Sequence, residues 1–258
     1  MNYIEILVLS TVQGIGEFLP ISSSSNITLI SKLLSFNDLS LSLKIALHGG
    51  SLLALLIYFR QIIWKIILGL FTNKIKLSNT AFNLMVFSTI PVIIAGAIFS
   101  NFLHSFDIPV IIGITLIAFG IILHVTDKYN IRINCKSNIL QYIIIGLFQS
   151  LAIFPGVSRS GICITACRIL NIDRARAIKT SLLLAIPSIS GSLVLELINM
   201  YKYNTLNTID IKTLFAVLLT GIIGIIFIEP CIKYMEKNGF YVIMWYRIII
   251  GLIFICLI

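Results

Sequence analysis

Two short polar stretches interrupt a chain that is otherwise mostly hydrocarbon, and both carry side chains that bind phosphate or metal ions. The first, residues 13–26, contains a carboxylate at Glu17 followed by a run of serines. Gln13 lies four residues before Glu17, so on a helix both side chains leave the same face. The second, residues 154–161, contains one cation, Arg159, among hydroxyls and glycines. One stretch offers a metal-binding carboxylate and the other an anion clamp, which together predict a phosphate site.

The composition predicts that these stretches lie in a membrane. Of the 258 residues, 58% are hydrophobic and 11% are charged, and the mean hydropathy is +1.04. Soluble domains carry about 25% charged residues. The apolar segments are helix-length and do not alternate, which favours an all-α integral membrane protein over a barrel. Basic cytoplasmic loops account for the net charge of +9, so we expect no nucleic-acid partner.

In the first stretch, Glu17 is the sharpest candidate, because a carboxylate within a membrane is costly unless it holds a metal, a proton or a cation. A structural ion pair or a helix cap is the alternative. Gln13 offers a neutral metal ligand or a partner for water. A serine run is ordinarily turn chemistry, but beside Glu17 it offers a nucleophile or phosphate-binding hydroxyls. The run consists of Ser22, Ser23, Ser24 and Ser25.

In the second stretch, the guanidinium of Arg159 matches phosphate oxygens through two contacts at once. Neighbouring hydroxyls, glycines and the following helix N-terminus add donors for an anion. These neighbours are Gly156, Ser158, Ser160 and Gly161. Arg159 could instead simply pair with Glu17. The two interpretations are compatible, because a phosphate or a metal can insert between the charges.

Three further positions inside apolar segments carry chemistry. His48 lies beside two glycines and is either a packing residue or a proton shuttle near Glu17. Glu196 and Arg247 either form pairs or line a cavity, and the sequence indicates no partners for them.

The apolar segments divide into short pieces and full spans. Residues 1–19 and 26–34 are each shorter than the roughly 20 residues that cross the hydrocarbon. They flank the first polar stretch, which predicts a re-entrant hairpin, and residues 140–154 and 162–170 predict a second hairpin. Residues 60–76 are predicted to lie along the interface. Six segments are long enough to span: 41–59, 81–102, 108–125, 177–198, 214–234 and 242–258.

The chain is predicted to form one polytopic domain built from two half-repeats, about residues 1–126 and 136–258. Three pairs of matching residues are 135 positions apart: Pro20 and Pro155, Asp38 and Asp173, Lys44 and Lys179. Each half crosses the membrane three times, so the second half is inverted relative to the first, and the hairpins meet at the midplane.

Basic residues predict the orientation. They concentrate in residues 60–76, 127–138 and 168–179, whereas residues 101–107 contain none. The positive-inside rule places the three basic segments in the cytoplasm. The first hairpin then enters from outside and the second from inside.

Four motifs follow one another along the chain. Residues 13–23 read Gln-x-x-x-Glu, then Phe-Leu-Pro and Ser-Ser, and residues 155–161 read Pro-Gly-x-Ser-Arg-Ser-Gly. A His-x-Gly-Ser element occupies residues 48–51, and a Tyr-Arg pair occupies residues 246–247. In these motifs, and in matches from residue 5 to residue 250, the chain resembles the bacterial undecaprenyl-diphosphate phosphatase family of the bacitracin-resistance type.

The resemblance implies a metal-dependent enzyme that removes the terminal phosphate from a C55 isoprenyl diphosphate, giving the monophosphate carrier used in cell-wall synthesis. The family's acidic positions fall on Gln13 and Glu17, its serines on Ser22 and Ser23, and its arginine on Arg159. The implied location is the bacterial cytoplasmic membrane, surrounded by lipid, with the cavity open toward the outer face. The sequence leaves a homodimer open.

These inferences combine into one predicted site. Glu17 and Gln13 hold Mg²⁺ or Ca²⁺, which polarises the phosphoryl group. Ser23 is the candidate nucleophile, with a water activated by Glu17 as the competing attacker, and Arg159 and His48 complete the catalytic set. The predicted phosphate-binding set is Ser22, Ser24, Asn26, Gly156, Ser158, Ser160 and Gly161. We expect Glu17 and Arg159 to share one cavity, with His48 at its border and Asn26 pointing into it.

One position departs from the family pattern. After the serines the family usually has Thr-Gly-His, whereas this chain has Ser24, Ser25 and Asn26. An asparagine cannot act as acid, base or nucleophile, so either His48 or water takes that role or turnover is reduced. The alternative function is a lipid-phosphate transporter or flippase on the same inverted repeat, because architecture alone does not decide.

Overall fold

The computed structural model describes residues 2–36, 40–71, 80–99, 108–129, 138–204 and 210–257, and all regular elements in these ranges are helical. The α-helices are α1 Tyr3–Gly16, α2 Ser23–Leu33, α3 Leu41–Tyr58, α4 Arg60–Phe71, α5 Thr80–Phe99, α6 Pro109–Lys128, α7 Ile139–Ser150, α8 Arg159–Ile169, α9 Arg174–Lys202, α10 Ile211–Asn238 and α11 Tyr241–Leu257. Asp38, used above for the repeat, and residues 72–76, 101–107 and 130–137, used for the orientation, lie outside the described residues. The prediction of an all-α protein is confirmed.

Five helices are long and apolar enough to cross a membrane, namely α3, α5, α6, α9 and α10. The chain is therefore a multi-pass membrane protein. The helix over the predicted sixth span, α11, has 17 residues, which corresponds to about 26 Å of helix. Two spans are longer than predicted, since α9 has 29 residues and α10 has 28. Asp173 and Asp210 cap their first turns and start both helices earlier than the apolar pattern does.

The two predicted hairpins have matching backbones. Ser22, with φ of 64°, precedes α2, and Ser158, with φ of 69°, precedes α8. Each of these helices has 11 residues, and each ends just before another residue with positive φ, Ser35 or Asn171. Both pairs are 136 residues apart. The three pairs noted in the sequence are 135 apart, and these turn residues are shifted by one because the second turn holds one more residue between its proline and its serine.

The second hairpin helix, α8, lies at the centre of the bundle. All its residues from 160 to 168 are buried, and it contacts α6, α7 and α9. Small side chains such as Ala166 and Cys167 let those helices approach closely. A buried helix with this many neighbours holds its first residue, Arg159, in a fixed place.

A buried ion cluster joins the ends of four helices. The carboxylate of Asp127, at the end of α6, lies 2.9 Å from Nε of Arg168 on α8 and 2.6 Å from Nη2 of Arg174 on α9. Arg174 also donates to the carbonyl oxygen of Glu236 on α10. The side chains of Asp127 and Arg168 are each 4% exposed, so neither charge is solvated if the other is lost.

We expect Asp127→Asn to lower the free energy of unfolding by about 3 kcal/mol, because it leaves buried guanidinium charge uncompensated. The matched control is Asp173→Asn, which breaks an exposed pair with Arg176, keeps a capping side chain and should cost less than about 1 kcal/mol. Thermal unfolding in detergent measures both variants. Equal losses of unfolding free energy in the two variants would show that the buried ion cluster stabilises the fold no more than an exposed ion pair does.

Candidate active site

The first turn is built around Glu17, which caps the C-terminus of α1. Gln13 and Glu17 do share a helix face, since Nε2 of Gln13 donates to Oε2 of Glu17 at 3.0 Å. The same oxygen accepts a hydrogen bond of 2.7 Å from Oγ of Ser23, the first residue of α2. Glu17 is 8% exposed, so this carboxylate has protein donors in place of most of its water.

The second turn brings its cation directly to that carboxylate. Nη2 of Arg159 lies 2.6 Å from Oε1 of Glu17, and Nη1 donates to the carbonyl oxygen of Ser181 on α9. Oγ of Ser160 donates to the carbonyl oxygen of Leu19, which joins the two turns a second time. The prediction that Glu17 and Arg159 lie together is confirmed.

Helix α3 contributes a third side to the site. Nε2 of Gln13 lies 3.2 Å from Nδ1 of His48 and 3.3 Å from Oγ of Ser51. The side-chain amide of Gln13 therefore bridges His48 and Glu17. The oxygen Oε1 of Gln13 is buried and has no hydrogen-bond partner among the described residues. The role of Ser51 was not foreseen, because its neighbour Gln13 is distant in sequence.

Glu17, Arg159 and His48 open onto a cavity of about 1140 Å³, whereas Gln13, predicted as a metal ligand, does not line it. The predicted site residues that line it are Glu17, Ser22, Ser23, Ser24, His48, Gly156, Ser158, Arg159 and Ser160. Both α2 and α8 begin at this cavity, so the free N–H groups and positive dipole ends of two helices meet there. The arrangement suits an anion.

The expectation that Asn26 points into the cavity is wrong. Its Nδ2 donates to the carbonyl oxygens of Ile21 and Ser22, and its Oδ1 accepts a hydrogen bond from the hydroxyl of Tyr246. Asn26 is 2% exposed and does not line the cavity. Ser22 has a left-handed backbone conformation, which rotates the start of α2. The side chain of Asn26 therefore forms its hydrogen bonds within the turn. Gly161 does not line the cavity either. Its N–H donates a hydrogen bond to Oγ of Ser158.

Arg247 on α11 holds the two turns together, a role that the sequence did not reveal. It is fully buried, and its guanidinium donates to four carbonyl oxygens. The acceptors are Leu116 at 3.0 Å, Pro20 at 3.1 Å, Gly156 at 2.9 Å and Val157 at 3.1 Å. A Cβ added at Gly161 would lie 3.2 Å from its Nη1, so a glycine there makes room. Arg247 thus connects Pro20 of the first turn with Gly156, which lines the shared cavity.

The residues present fit a divalent cation that also binds the substrate. No group of three or more His, Cys, Asp and Glu side chains converges within the described ranges. Mg²⁺, however, is commonly held by one or two carboxylates together with water and substrate phosphates. Glu17 supplies the carboxylate and Ser23 a hydroxyl. Gln13 turns Nε2 toward Glu17 and does not line the cavity, so its unpartnered Oε1 would reach a cation there only after the amide rotates.

Fold and site together define a multi-pass helical membrane protein whose buried carboxylate and guanidinium meet serine hydroxyls on one cavity. Comparison with known proteins agrees with that class. The family model described as "Bacitracin resistance protein BacA" matches residues 6–253. The chain belongs to this family.

Individual relatives match over nearly their whole length. The undecaprenyl-diphosphatase of Pelagibacter ubique is 39% identical, over 98% of this chain and 96% of that protein. The undecaprenyl-diphosphatase of Elusimicrobium minutum is 38% identical, over 99% of this chain and 98% of that protein. That of Pelotomaculum thermopropionicum is 33% identical, over 100% of this chain and 97% of that protein.

Proposed function

We propose that this chain is a membrane phosphatase that hydrolyses undecaprenyl diphosphate to the monophosphate and inorganic phosphate. The observation that carries the proposal is the contact of 2.6 Å between Arg159 and Glu17, with Ser23 on the same carboxylate. Membership of the BacA family and the names of its relatives indicate the substrate. The reaction regenerates the lipid carrier for cell-wall synthesis and so confers resistance to bacitracin.

Ser23 is the nucleophile in this proposal, because its hydroxyl already donates to Glu17. As Oγ of Ser23 attacks the terminal phosphorus, Glu17 takes the hydroxyl proton, and the bond to the bridging oxygen breaks to release the lipid monophosphate. Water then attacks the phosphorus of the phosphoserine, the P–Oγ bond breaks, Glu17 returns the proton to Oγ of Ser23, and inorganic phosphate leaves. Water activated directly by Glu17 remains the competing attacker.

Charge neutralisation falls to the second turn and the two helix N-termini. Phosphoryl transfer leaves the protein mainly positioning and electrostatic stabilisation to perform. The fork of Arg159 can hold two phosphate oxygens, with Ser158 and Ser160 beside it at the start of α8. A divalent cation, Mg²⁺ or Ca²⁺, bound by Glu17 and Gln13 would neutralise further phosphate charge.

His48 takes the proton-transfer role that Asn26 cannot perform. Asn26 braces the first turn, whereas His48 lines the cavity. Nδ1 of His48 lies 3.2 Å from the side-chain amide of Gln13, which links this ring to Glu17. As an imidazolium, His48 can give a proton to a leaving oxygen and is left as the neutral imidazole.

The finer topology is also a proposal. The chain would cross the membrane six times, with α11 as the sixth span, and α1–α2 and α7–α8 would form re-entrant hairpins in two inverted halves. The matched turns, 136 residues apart, support this, as do the contacts of α3 with α9 and of α6 with α11, which pair each helix with its counterpart. The site would open toward the outer face of the bacterial cytoplasmic membrane.

A phosphate-release assay tests this function against transport. Purified protein in detergent, given undecaprenyl diphosphate, should liberate inorganic phosphate, should stop when a chelator is added, and should resume with Mg²⁺ or Ca²⁺. A transporter or flippase on the same scaffold liberates none. Folded protein that binds the lipid but releases no phosphate with either cation would overturn the proposal.

A further inference from the structure

The cavity continues beyond the proposed catalytic groups to a second set of polar side chains. Lys32, in the last turn of α2, and Lys44, in the first turns of α3, both line it, together with the hydroxyl residues Ser31 and Ser35. These lysines belong to none of the four motifs noted in the sequence. The mechanism proposed above does not use them.

Their place along the helices puts them between the reacting groups and one end of the cavity. Lys44 is four residues before His48, which is about 6 Å of rise along α3. Lys32 is nine residues after Ser23, which is about 13 Å along α2. Along α2 the backbone of Lys32 is thus more than two helical turns from that of Ser23, and along α3 the backbone of Lys44 is about one turn from that of His48.

Among the described residues that line the cavity, this end carries two lysines and no carboxylate, and Asp38, between them in sequence, lies outside those residues. Within the described ranges neither lysine forms an ion pair, and Glu17 is the one acidic residue that lines the cavity. Arg159 already pairs with Glu17. Glu196 on α9 is near enough to feel the charge of Lys44 but does not line the cavity. Oγ of Ser31 is buried and has no hydrogen-bond partner among the described residues.

We propose that Lys32 and Lys44, with the hydroxyl of Ser31, form a second subsite for a phosphate dianion. This proposal rests on the proposed function. Hydrolysis of one lipid diphosphate gives two anionic products, and the carboxylate of Glu17 repels both. Two ammonium groups and an unpaired hydroxyl provide what a tetrahedral oxyanion binds. The anion is either inorganic phosphate leaving the reacting groups or the phosphate head of the lipid, and the two sources make different kinetic predictions.

Direct binding of inorganic phosphate tests the subsite without any turnover. In ³¹P NMR titrations of purified, lipid-free protein in detergent, Lys32→Gln/Lys44→Gln should weaken phosphate binding about tenfold, since each tenfold corresponds to about 1.4 kcal/mol. The control Lys65→Gln/Lys237→Gln removes the same net charge at exposed positions off the cavity and should change the affinity less than about twofold. Melting curves check that both pairs stay folded.

Kinetics then separate the two sources. If the subsite takes the leaving phosphate, the Lys32→Gln/Lys44→Gln variant should have a higher inhibition constant for inorganic phosphate and an unchanged KM for the lipid diphosphate. If it holds the lipid head, KM rises and so does the inhibition constant of the lipid monophosphate. The subsite would be overturned if the Lys32→Gln/Lys44→Gln variant matched the control variant in phosphate binding, in both inhibition constants and in KM. That result leaves hydrolysis intact, whereas wild-type protein that binds phosphate but hydrolyses nothing would contradict only the proposed function.

Discussion

Glu17→Gln is expected to lower phosphate release by at least about a hundredfold, the usual lower bound for losing a general base. The substitution keeps the shape of the side chain, but an amide oxygen can neither take the proton of Ser23 nor pair with Arg159. It also removes the carboxylate from the proposed metal site. The measurement is phosphate release from purified protein at saturating Mg²⁺ and Ca²⁺, with membrane insertion and melting temperature recorded in parallel.

Glu5→Gln is the matched control for that experiment. Glu5 is a partly exposed carboxylate in the first turn of the same helix, where it forms a capping box with Asn2. Glutamine can keep that box, so turnover should not change. If the Glu17 variant turned over at a near-normal rate, Glu17 would be a structural residue and the mechanism would fail.

Arg159→Lys is expected to lower kcat/KM at least about tenfold, which corresponds to roughly 1.4 kcal/mol of transition-state stabilisation. Lysine keeps the charge but lacks the planar fork that contacts two phosphate oxygens together. It also cannot reach Glu17 and the carbonyl oxygen of Ser181 at the same time, as Arg159 does. Steady-state kinetics with the lipid diphosphate measure the loss.

The control here is Arg60→Lys, at an exposed arginine that donates to the carbonyl oxygen of Ile57. Its kinetics should match those of the unmodified chain. If Arg159→Lys left the kinetics unchanged, Arg159 would act only as a point charge or as an ion-pair partner.

The sequence predicted the short helices and their turns well, because the signals for them are local. Apolar pieces too short to span, broken by Pro20 or Pro155 with serines after them, predict helices that stop and turn back. An embedded carboxylate at Glu17 and an embedded cation at Arg159 favour a shared location, since each lowers the cost of burying the other. The contact between them follows from those two facts.

Other features depended on information that residue types do not carry. The bonds of Arg247 go to backbone carbonyl oxygens, which every residue has, so no pattern marks Pro20 or Gly156 as acceptors. The direction of Asn26 depends on the left-handed backbone of Ser22, which rotates the start of α2. A serine at positive φ is uncommon, and sequence alone does not indicate it.

The central claim is that the two turns form a single catalytic site, and a double-variant cycle tests it most directly. Glu17→Asp, Arg159→Lys and the combination of both are compared with the unmodified protein by kcat/KM for phosphate release from undecaprenyl diphosphate. Groups 2.6 Å apart that act on one phosphoryl group should be coupled. We expect the combined loss to be at least about tenfold smaller than the product of the single losses, a coupling of about 1.4 kcal/mol. Losses that multiply to within about twofold would show that Glu17 and Arg159 act independently, and would contradict the single site.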